Sequence, residues 1–414
     1  MRFTVPALGL GLAIAAPAFA QMGMSVDPSP PQAAPAKDQS KDQLKPSSGA
    51  LKAIVDLQTA VNANDTANIP AKVAAAQKAA KSKEDRYIIG QLQIKAALAA
   101  KDNAALGAAI DTVAASGYLD AAKVGELYRS LGGTYFNEKQ YDAAAAAYDK
   151  AIAIDPNNQD GLMMLAETRN AQGRKAEAVA AFQRVLQLST AAGQKPREEV
   201  YRRTVALAYE GKLGSAPDLA RQWVMAYPSP DSWRNSIAIY RNLTMPDVEG
   251  TLALLRLMQA TGALTAAGDY NLFATASAEQ LNYNEAQAVI DAGIAARLVD
   301  PASPLFKDTI TALKAKPKAT EADLAVAAKT AANGMALLRI GDRYYGMGNF
   351  AKAVELYRQS MGKPGVDANI ANLHIGMALA RAGDKAGATA ALNAVTGPRA
   401  DIAKYWLLFV QSKA

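Results

Sequence analysis

The chain of 414 residues holds one histidine, His374 within NLHIGMALA, and no cysteine. A Ser-His-Asp arrangement needs an imidazole base steadied by a third group, so His374 would have to serve, as it would in any imidazole metal site. Without thiols there is no thiolate nucleophile, no thiolate ligand and no disulfide. A lone histidine with no visible partner reads as groove-lining or partly packed rather than as a base. Carboxylate pairs such as Glu198-Glu199, or Glu321 with Asp323, could in principle act as acid and base. Their positions suit helix starts, where negative charge meets the positive end of the helix dipole. Thr320 with Asp323 reads as a capping box. Gly9 and Gly11 belong to an N-terminal apolar run, and Gly341, Gly346 and Gly348 fall at helix-packing and turn positions, so no phosphate-cradling loop is present. The expectation is a non-enzyme with no cofactor, metal or catalytic residue. A degenerate enzyme using Asp/Glu pairs in 199–330 is the rival to that reading.

The elements around these residues set further limits. Half of the chain is hydrophobic, a fifth is charged, and aromatics make up only 7%. Alanine dominates the apolar fraction; it costs a helix nothing and lets backbones approach closely. Residues 1–20, MRFTVPALGLGLAIAAPAFA, combine a positive start at Arg2, an apolar run and the exit Ala18-Phe19-Ala20. That is the pattern of a secretory signal cleaved near Ala20. The run is too short to span a bilayer, and no transmembrane segment follows in the mature chain. Removal of Arg2 takes the net charge from +7 to +6. The excess is spread along the chain, and Lys314, Lys316 and Lys318 read as a solvated connector. Export to the periplasm or beyond leaves nucleic acid out of the expected partners. Residues 21–48 are interrupted by Pro28, Pro30, Pro31, Pro35 and Pro46, which suits a flexible tether.

From Leu51 onward apolar residues recur every three or four positions, as in Ala53, Ile54, Leu57 and Val61. Breaks at Asn64-Asp65, Lys101-Asp102, Pro156, Gly193, Pro228, Gly262 and Pro301 divide the chain into successive helix pairs. The pairs repeat. Leu131, Gly132, Tyr135, Tyr141, Ala144, Tyr148, Ala151 and Pro156 are followed at the same offsets by Leu165, Ala166, Arg169, Lys175, Ala178, Phe182 and Val185. Ile340, Gly341, Tyr344, Ala353 and Tyr357 form another copy, with Ile375, Gly376, Leu379, Ala388 and Leu392 after it. A weaker copy holds Phe273, Ala274, Ala286 and Ile290; Trp233 and Tyr240 keep the spacing, with Ile237 where a small residue is expected.

This pattern resembles the tetratricopeptide repeat family. The resemblance covers 125–192 and 334–399 well and 199–300 loosely. It implies an all-α chain, an α-solenoid of antiparallel helix hairpins stacked in a right-handed superhelix. The expected order is degenerate helical repeats over 49–124, repeats over 125–192, degenerate hairpins over 193–333, repeats over 334–399 and a capping helix over 400–414. Gly132 and Ala144 would be the close contacts within a hairpin, and Leu131, Tyr135 and Tyr148 the fillers. Ala151 would meet the next hairpin, and Pro156 would stop the second helix. The groove of such proteins is lined by first-helix side chains and takes protein or peptide ligands. Carried onto this sequence, that lining comprises Arg129, Gly133, Phe136 and Asn137, then Met163, Met164, Glu167 and Asn170. At the far end it comprises Arg339, Asp342, Tyr345, His374 and Arg381. The resulting expectation is an exported scaffold that binds protein or peptide in the cell envelope. An envelope glycan, contacted through Tyr345 and Arg339, is the alternative.

Overall fold

The computed structural model describes residues 46–412; the expected signal and nearly all of the expected tether lie outside them. The described residues form twenty-one α-helices and no strand. They divide into two units, one ending at Leu188 and one beginning at Ser189.

In unit 1 the helices are α1 (Leu51–Asn62), α2 (Ile69–Ala79), α3 (Lys83–Ala100), α4 (Asn103–Ser116), α5 (Ala121–Asn137), α6 (Tyr141–Ile154) and α7 (Gln159–Ala171). They are followed by α8 (Lys175–Ala191), which runs across the division. Side-chain caps set several of the starts. Asp102, Asp120 and Asn158 each accept a hydrogen bond from a backbone N–H three residues on, satisfying a donor that the first turn leaves open. Asp85 does more. It completes a capping box with Ser82 and also accepts from the amide and the hydroxyl of Ser47, each at 2.7 Å. Burial would raise the Asp85 carboxyl, but these hydrogen bonds outweigh it and hold the group well below the usual carboxylate range. The described chain is thereby tied to α3 from Ser47 onward.

Hairpin packing follows from residue size. A Cβ on Gly132 would lie 2.8 Å from Tyr148, one on Gly341 2.6 Å from Tyr357, and one on Gly376 2.5 Å from Leu392. All three are below any distance a real Cβ tolerates, so a glycine is what allows the aromatic or leucine filler to cross. Ala144, Ala178, Ala353 and Ala388 are fully buried on the second helices. Leu131, Tyr135, Tyr148 and Ala151 share one apolar cluster with Ala144, and Phe182 is buried in its own copy. Asp155 ends α6 just before Pro156. A fourth crossing lies in α3 and α4, where a Cβ on Gly90 would meet Val113 at 2.6 Å. Its offset differs from the others because α3 continues ten residues past Gly90, whereas α5 continues five past Gly132.

Unit 2 begins with α9 (Glu198–Glu210), α10 (Ala216–Ala226), α11 (Pro230–Thr244), α12 (Val248–Thr261), α13 (Ala267–Glu279) and α14 (Tyr283–Ala295). It continues with α15 (Pro304–Lys314), α16 (Glu321–Lys329), α17 (Gly334–Gly346), α18 (Phe350–Met361), α19 (Ala368–Ala382) and α20 (Lys385–Asn393), and ends in α21 (Ala400–Ser412). The Thr320–Asp323 capping box is present at the start of α16. Ile237 and Ala253 occupy the two hairpin positions with large and small exchanged, and both are buried.

The unit returns on itself. Helix α21 packs on α10, α12, α19 and α20. Trp406 Nε1 donates to the backbone oxygen of Ala253 at 3.1 Å, and Tyr405 meets Ser236 across α11. As a result every residue of α12 from Leu252 to Met258, and of α19 from Leu373 to Leu379, is buried. A helix covered on all sides has to be apolar nearly all round, and both are.

Candidate functional site

Within unit 1, α5 buries Val124, Tyr128, Leu131 and Tyr135. The neighbouring stripe, Arg129, Gly133 and Phe136, remains half-buried, and Asn137 is exposed. On α7, which packs beside α5, Leu162 and Ala166 are buried, whereas Met163, Met164, Glu167 and Asn170 are half-buried. Helical spacing puts each set on one face of its helix. Phe136 stands edge-on to Tyr141 with ring centroids 5.6 Å apart. Met164 and Phe136 rest on the unit's core from its rim. A cleft of about 410 Å³ in unit 2 has a counterpart here of about 370 Å³, walled by Glu126, Arg129, Ile154, Asp155 and Asn158. Arg129 Nη1 lies 3.5 Å from Asn158 Oδ1, at the outer limit of a hydrogen bond, so the guanidinium is only lightly held. This face therefore offers an apolar, adaptable surface of Phe and Met beside a cation and amides.

The second helices knit neighbouring hairpins together. Lys150 Nζ is 2.6 Å from Asp111, which also accepts from the Tyr128 hydroxyl at 2.6 Å, and Asp149 meets Arg169 at 2.8 Å. Burial would raise the Asp111 carboxyl, yet the hydrogen bonds from Lys150 and Tyr128 lower it overall.

In unit 2 the expected groove residues are placed differently. Arg339 is exposed, and Arg381 is half-buried with its guanidinium 4.9 Å from the Phe350 ring centroid. Tyr345 and His374, by contrast, are buried, and Asp342 is largely enclosed, so these three do not line an open groove. The reason is a charge cluster between the helices. Arg256 of α12, 1% exposed, grips Glu285 of α14 with Nε and Nη2 at 2.8 and 2.9 Å. Its Nη1 donates to Asp342 of α17 at 3.2 Å, and its guanidinium lies 4.5 Å from the Tyr345 ring centroid. Glu285 also accepts from Ser277 and Asn282, and Asn282 donates in turn to the Asp342 backbone oxygen. Tyr357 donates to the Asp342 carboxylate at 2.9 Å. His374 completes the cluster, with Nδ1 3.0 Å from Asp342 and Nε2 3.5 Å from Glu249. Arg399, in a short 3-10 turn before α21, clamps Asp247 at 2.9 and 2.8 Å and Glu249 at 3.0 Å.

The electrostatics of this cluster suit a brace. Burial would raise the Asp342 carboxyl, but His374 and Arg256 beside it prevail and hold it at about 2. Burial, reinforced by Asp342, pushes the Tyr357 phenol well above its ordinary value, and burial pushes Tyr345 up to about 12. Near neutral pH Asp342 is thus an anion and both phenols keep their protons; none of the three is poised to exchange one. Among the described residues no group of three or more His, Asp or Glu side chains could hold a metal. No described helix is long and apolar enough to cross a membrane.

Sequence reading missed Arg256, Glu285, Glu249 and Arg399. One signal was available. Arg256 is the sole charge in the run LALLRLM, and a cation in a fully apolar helix must be buried with a partner. Tyr345, paired above with exposed Arg339 as a glycan contact, does not share a surface with it.

Two family models, both described as tetratricopeptide repeat, match the sequence, one over residues 135–190 and the other over 338–402. No curated protein matches the chain. Among solved structures, PilF of Pseudomonas aeruginosa is similar at 13% identity, with 64% of this chain and 97% of that one covered and a TM-score of 0.24. The apo form of RapI is similar at 14% identity, with 76% and 96% covered and a TM-score of 0.26. Both matched segments contain glycine or alanine crossings described above, and the chain carries tetratricopeptide repeats over these two stretches.

Proposed function

We propose that the chain is an exported, non-enzymatic scaffold that holds a protein or peptide partner on the α5–α7 face of unit 1. The observation that carries this reading is the half-open stripe of Arg129, Phe136, Asn137, Met163, Met164, Glu167 and Asn170 beside the Arg129 cleft. Tetratricopeptide repeat proteins are generally interaction scaffolds without catalytic activity, and rigid helices carrying adaptable methionines suit an extended or helical ligand. The secretory pattern of residues 1–20 supports a place in the cell envelope, either periplasmic or beyond.

A photocrosslinking residue placed in turn at Asn137, Asn170 and Ala146 tests the reading in intact cells. The first two belong to the proposed face, whereas Ala146 is exposed on α6. Discrete protein adducts should form from Asn137 and Asn170 and not from Ala146. Equal adducts from all three positions, or retention on peptidoglycan or acidic polysaccharide without any peptide adduct, would overturn it. Sequencing the N-terminus of the mature protein checks export: it should begin near Gln21.

A further inference from the structure

We propose that unit 2 has a ligand face of its own on α9 and α11, and that Arg241 there takes the carboxylate of a Glu or Asp side chain in an extended acidic peptide. The closure that buries α12 and α19 leaves this earlier face half-open. On α11, Trp233, Ser236, Ile237, Ile239 and Tyr240 are buried, whereas Arg234, Ala238 and Arg241 are half-buried. On α9 the same offsets hold Arg202, which is exposed, and Ala206 and Tyr209, which are half-buried. Spacing at i, i+4 and i+7 keeps each trio on one face of its helix. Arg129, Gly133 and Phe136 on α5 follow the same order: an arginine, a small residue, then a long side chain. Next to Arg241, Asn242 Nδ2 donates to the Tyr209 hydroxyl at 3.1 Å, which joins the two stripes.

Arg234 is satisfied, because its Nε donates to Asp269 of α13 at 2.9 Å. Arg241, two turns along the same face, is not. Its side chain has no hydrogen bond or ion pair among the described residues, and the carboxylate that acts on it from a distance, Asp269, is already held by Arg234. Burial pushes the Arg241 guanidinium below its ordinary value, and Asp269 offsets this in part; the group stays a cation. A place in the last turn of α11 favours positive charge, but no backbone oxygen there accepts from it. A partly desolvated cation with unused donors gains most from an anion that arrives from outside. Arg202 adds a second cation, whose guanidinium lies 5.8 Å from the Trp223 ring centroid. The exposed carboxylates Glu199 and Asp231 stand in the first turns of α9 and α11, at the far ends from Tyr209 and Arg241, and Glu210 already has a partner. On α13, Asn271 follows buried Tyr270 as Arg234 follows buried Trp233 and Arg202 follows buried Tyr201. Its side-chain oxygen is buried without a hydrogen-bond partner. An extended peptide brings both missing groups, a carboxylate for Arg241 and a backbone N–H for Asn271.

Fluorescence polarisation of the intact protein tests the proposal. The probe is a labelled, C-terminally amidated peptide of Glu alternating with Thr. Its Gln-for-Glu counterpart, that counterpart with a free C-terminal carboxylate, and a polyuronate serve as controls. The Glu peptide should bind and the controls should bind far more weakly. Arg241→Gln should weaken the Glu peptide about tenfold or more, as for loss of one charge-assisted hydrogen bond. Arg358→Gln, which removes the same charge from an exposed position on α18, should leave its affinity within about twofold. Arg241→Gln should melt with the parent protein, since it leaves no partner behind. Amide exchange in α9 and α11 of the unaltered protein should slow when the Glu peptide is added, whereas exchange in α17 should not; this decides the matter should the variant fail to fold. Failure of the Glu peptide to bind, equal binding of the Gln peptide, or preference for the polyuronate or the free C-terminus overturns the proposal. So does equal weakening by Arg241→Gln and Arg358→Gln, or a lower melting temperature of Arg241→Gln with unchanged affinity.

Discussion

Unit 1 and unit 2 use the same hairpin device and put it to opposite ends. In both, a glycine or alanine lets a large side chain cross between paired helices, as at Gly132 with Tyr148 and at Gly341 with Tyr357. In unit 1 the first-helix stripe from Arg129 to Asn170 then stays half-open. In unit 2 the equivalent residues Asp342, Tyr345 and His374 are covered by α12 and locked into charge pairs. A repeat signature therefore specifies how a hairpin closes, but not whether its outer face remains free. That second property depends on what returns from elsewhere in the chain.

The sharpest way to break the contrast is Arg256→Ala, which leaves Glu285 and Asp342 buried without their cation. The loss should be about 3–5 kcal/mol and confined to unit 2. Chemical unfolding followed by exchange in α12 and in α5 would register it. The double variant Arg256→Met with Glu285→Leu should recover most of the stability, since paired apolar replacement removes both desolvated charges. Equal damage in the single and double variants would show that the cluster is not the closure.

A smaller effect is expected from acid. The Asp342 carboxyl is held at about 2 in the folded chain, below its ordinary value of about 3.9. The stability it contributes is present above about pH 4 and is lost as pH falls toward about 2, to the extent of about 2–3 kcal/mol. Asp342→Asn should flatten this part of the acid profile of unit 2 while leaving unit 1 as before.

In unit 1 the hairpin crossing is the point to test. Ala144→Leu overfills a fully buried site and should cost about 1–3 kcal/mol. Ala146→Leu, on the exposed side of the same helix, should stay within about 0.5 kcal/mol. Thermal melts distinguish the two, and equal melting would undo the assignment. Least of all should come from Lys150→Ala: its pairing with Asp111 is half exposed, and such surface pairs contribute at most about 1 kcal/mol.

What could be read from the amino acids follows the range over which each contact acts. Caps such as Thr320 with Asp323, stops such as Pro156, and crossings such as Gly132 with Tyr148 act within a hairpin, so their spacing is fixed and visible. The α3–α4 crossing at Gly90 and Val113 is of the same kind, but α3 runs further past its glycine than α5 does, which moves the crossing out of register with the repeat. At Ile237 a large residue stands where a small one is expected, and Ala253 is small at the offset where Gly132 has Tyr148; both are buried. Ala145 and Ala147 are also buried, because α6 meets α7 as well as α5; the hairpin pattern alone had singled out Ala144. The unit 2 cluster was not legible as a whole. Arg256 and Asp342 are 86 positions apart, and pairing at that range leaves no periodic trace.

The seating of Trp406 on Ala253 bears on how the protein is born. These two residues are separated by 153 positions, and the belt from Leu252 to Met258 is made long before the helix that sheathes it. Closing so large a loop is entropically slow, and until it happens the nascent chain carries an uncovered greasy helix with a single arginine in it. Chains arrested before α21 should consequently be the sticky, protease-sensitive species of this protein, and the burial of that indole marks the moment a newly made molecule becomes safe from its neighbours.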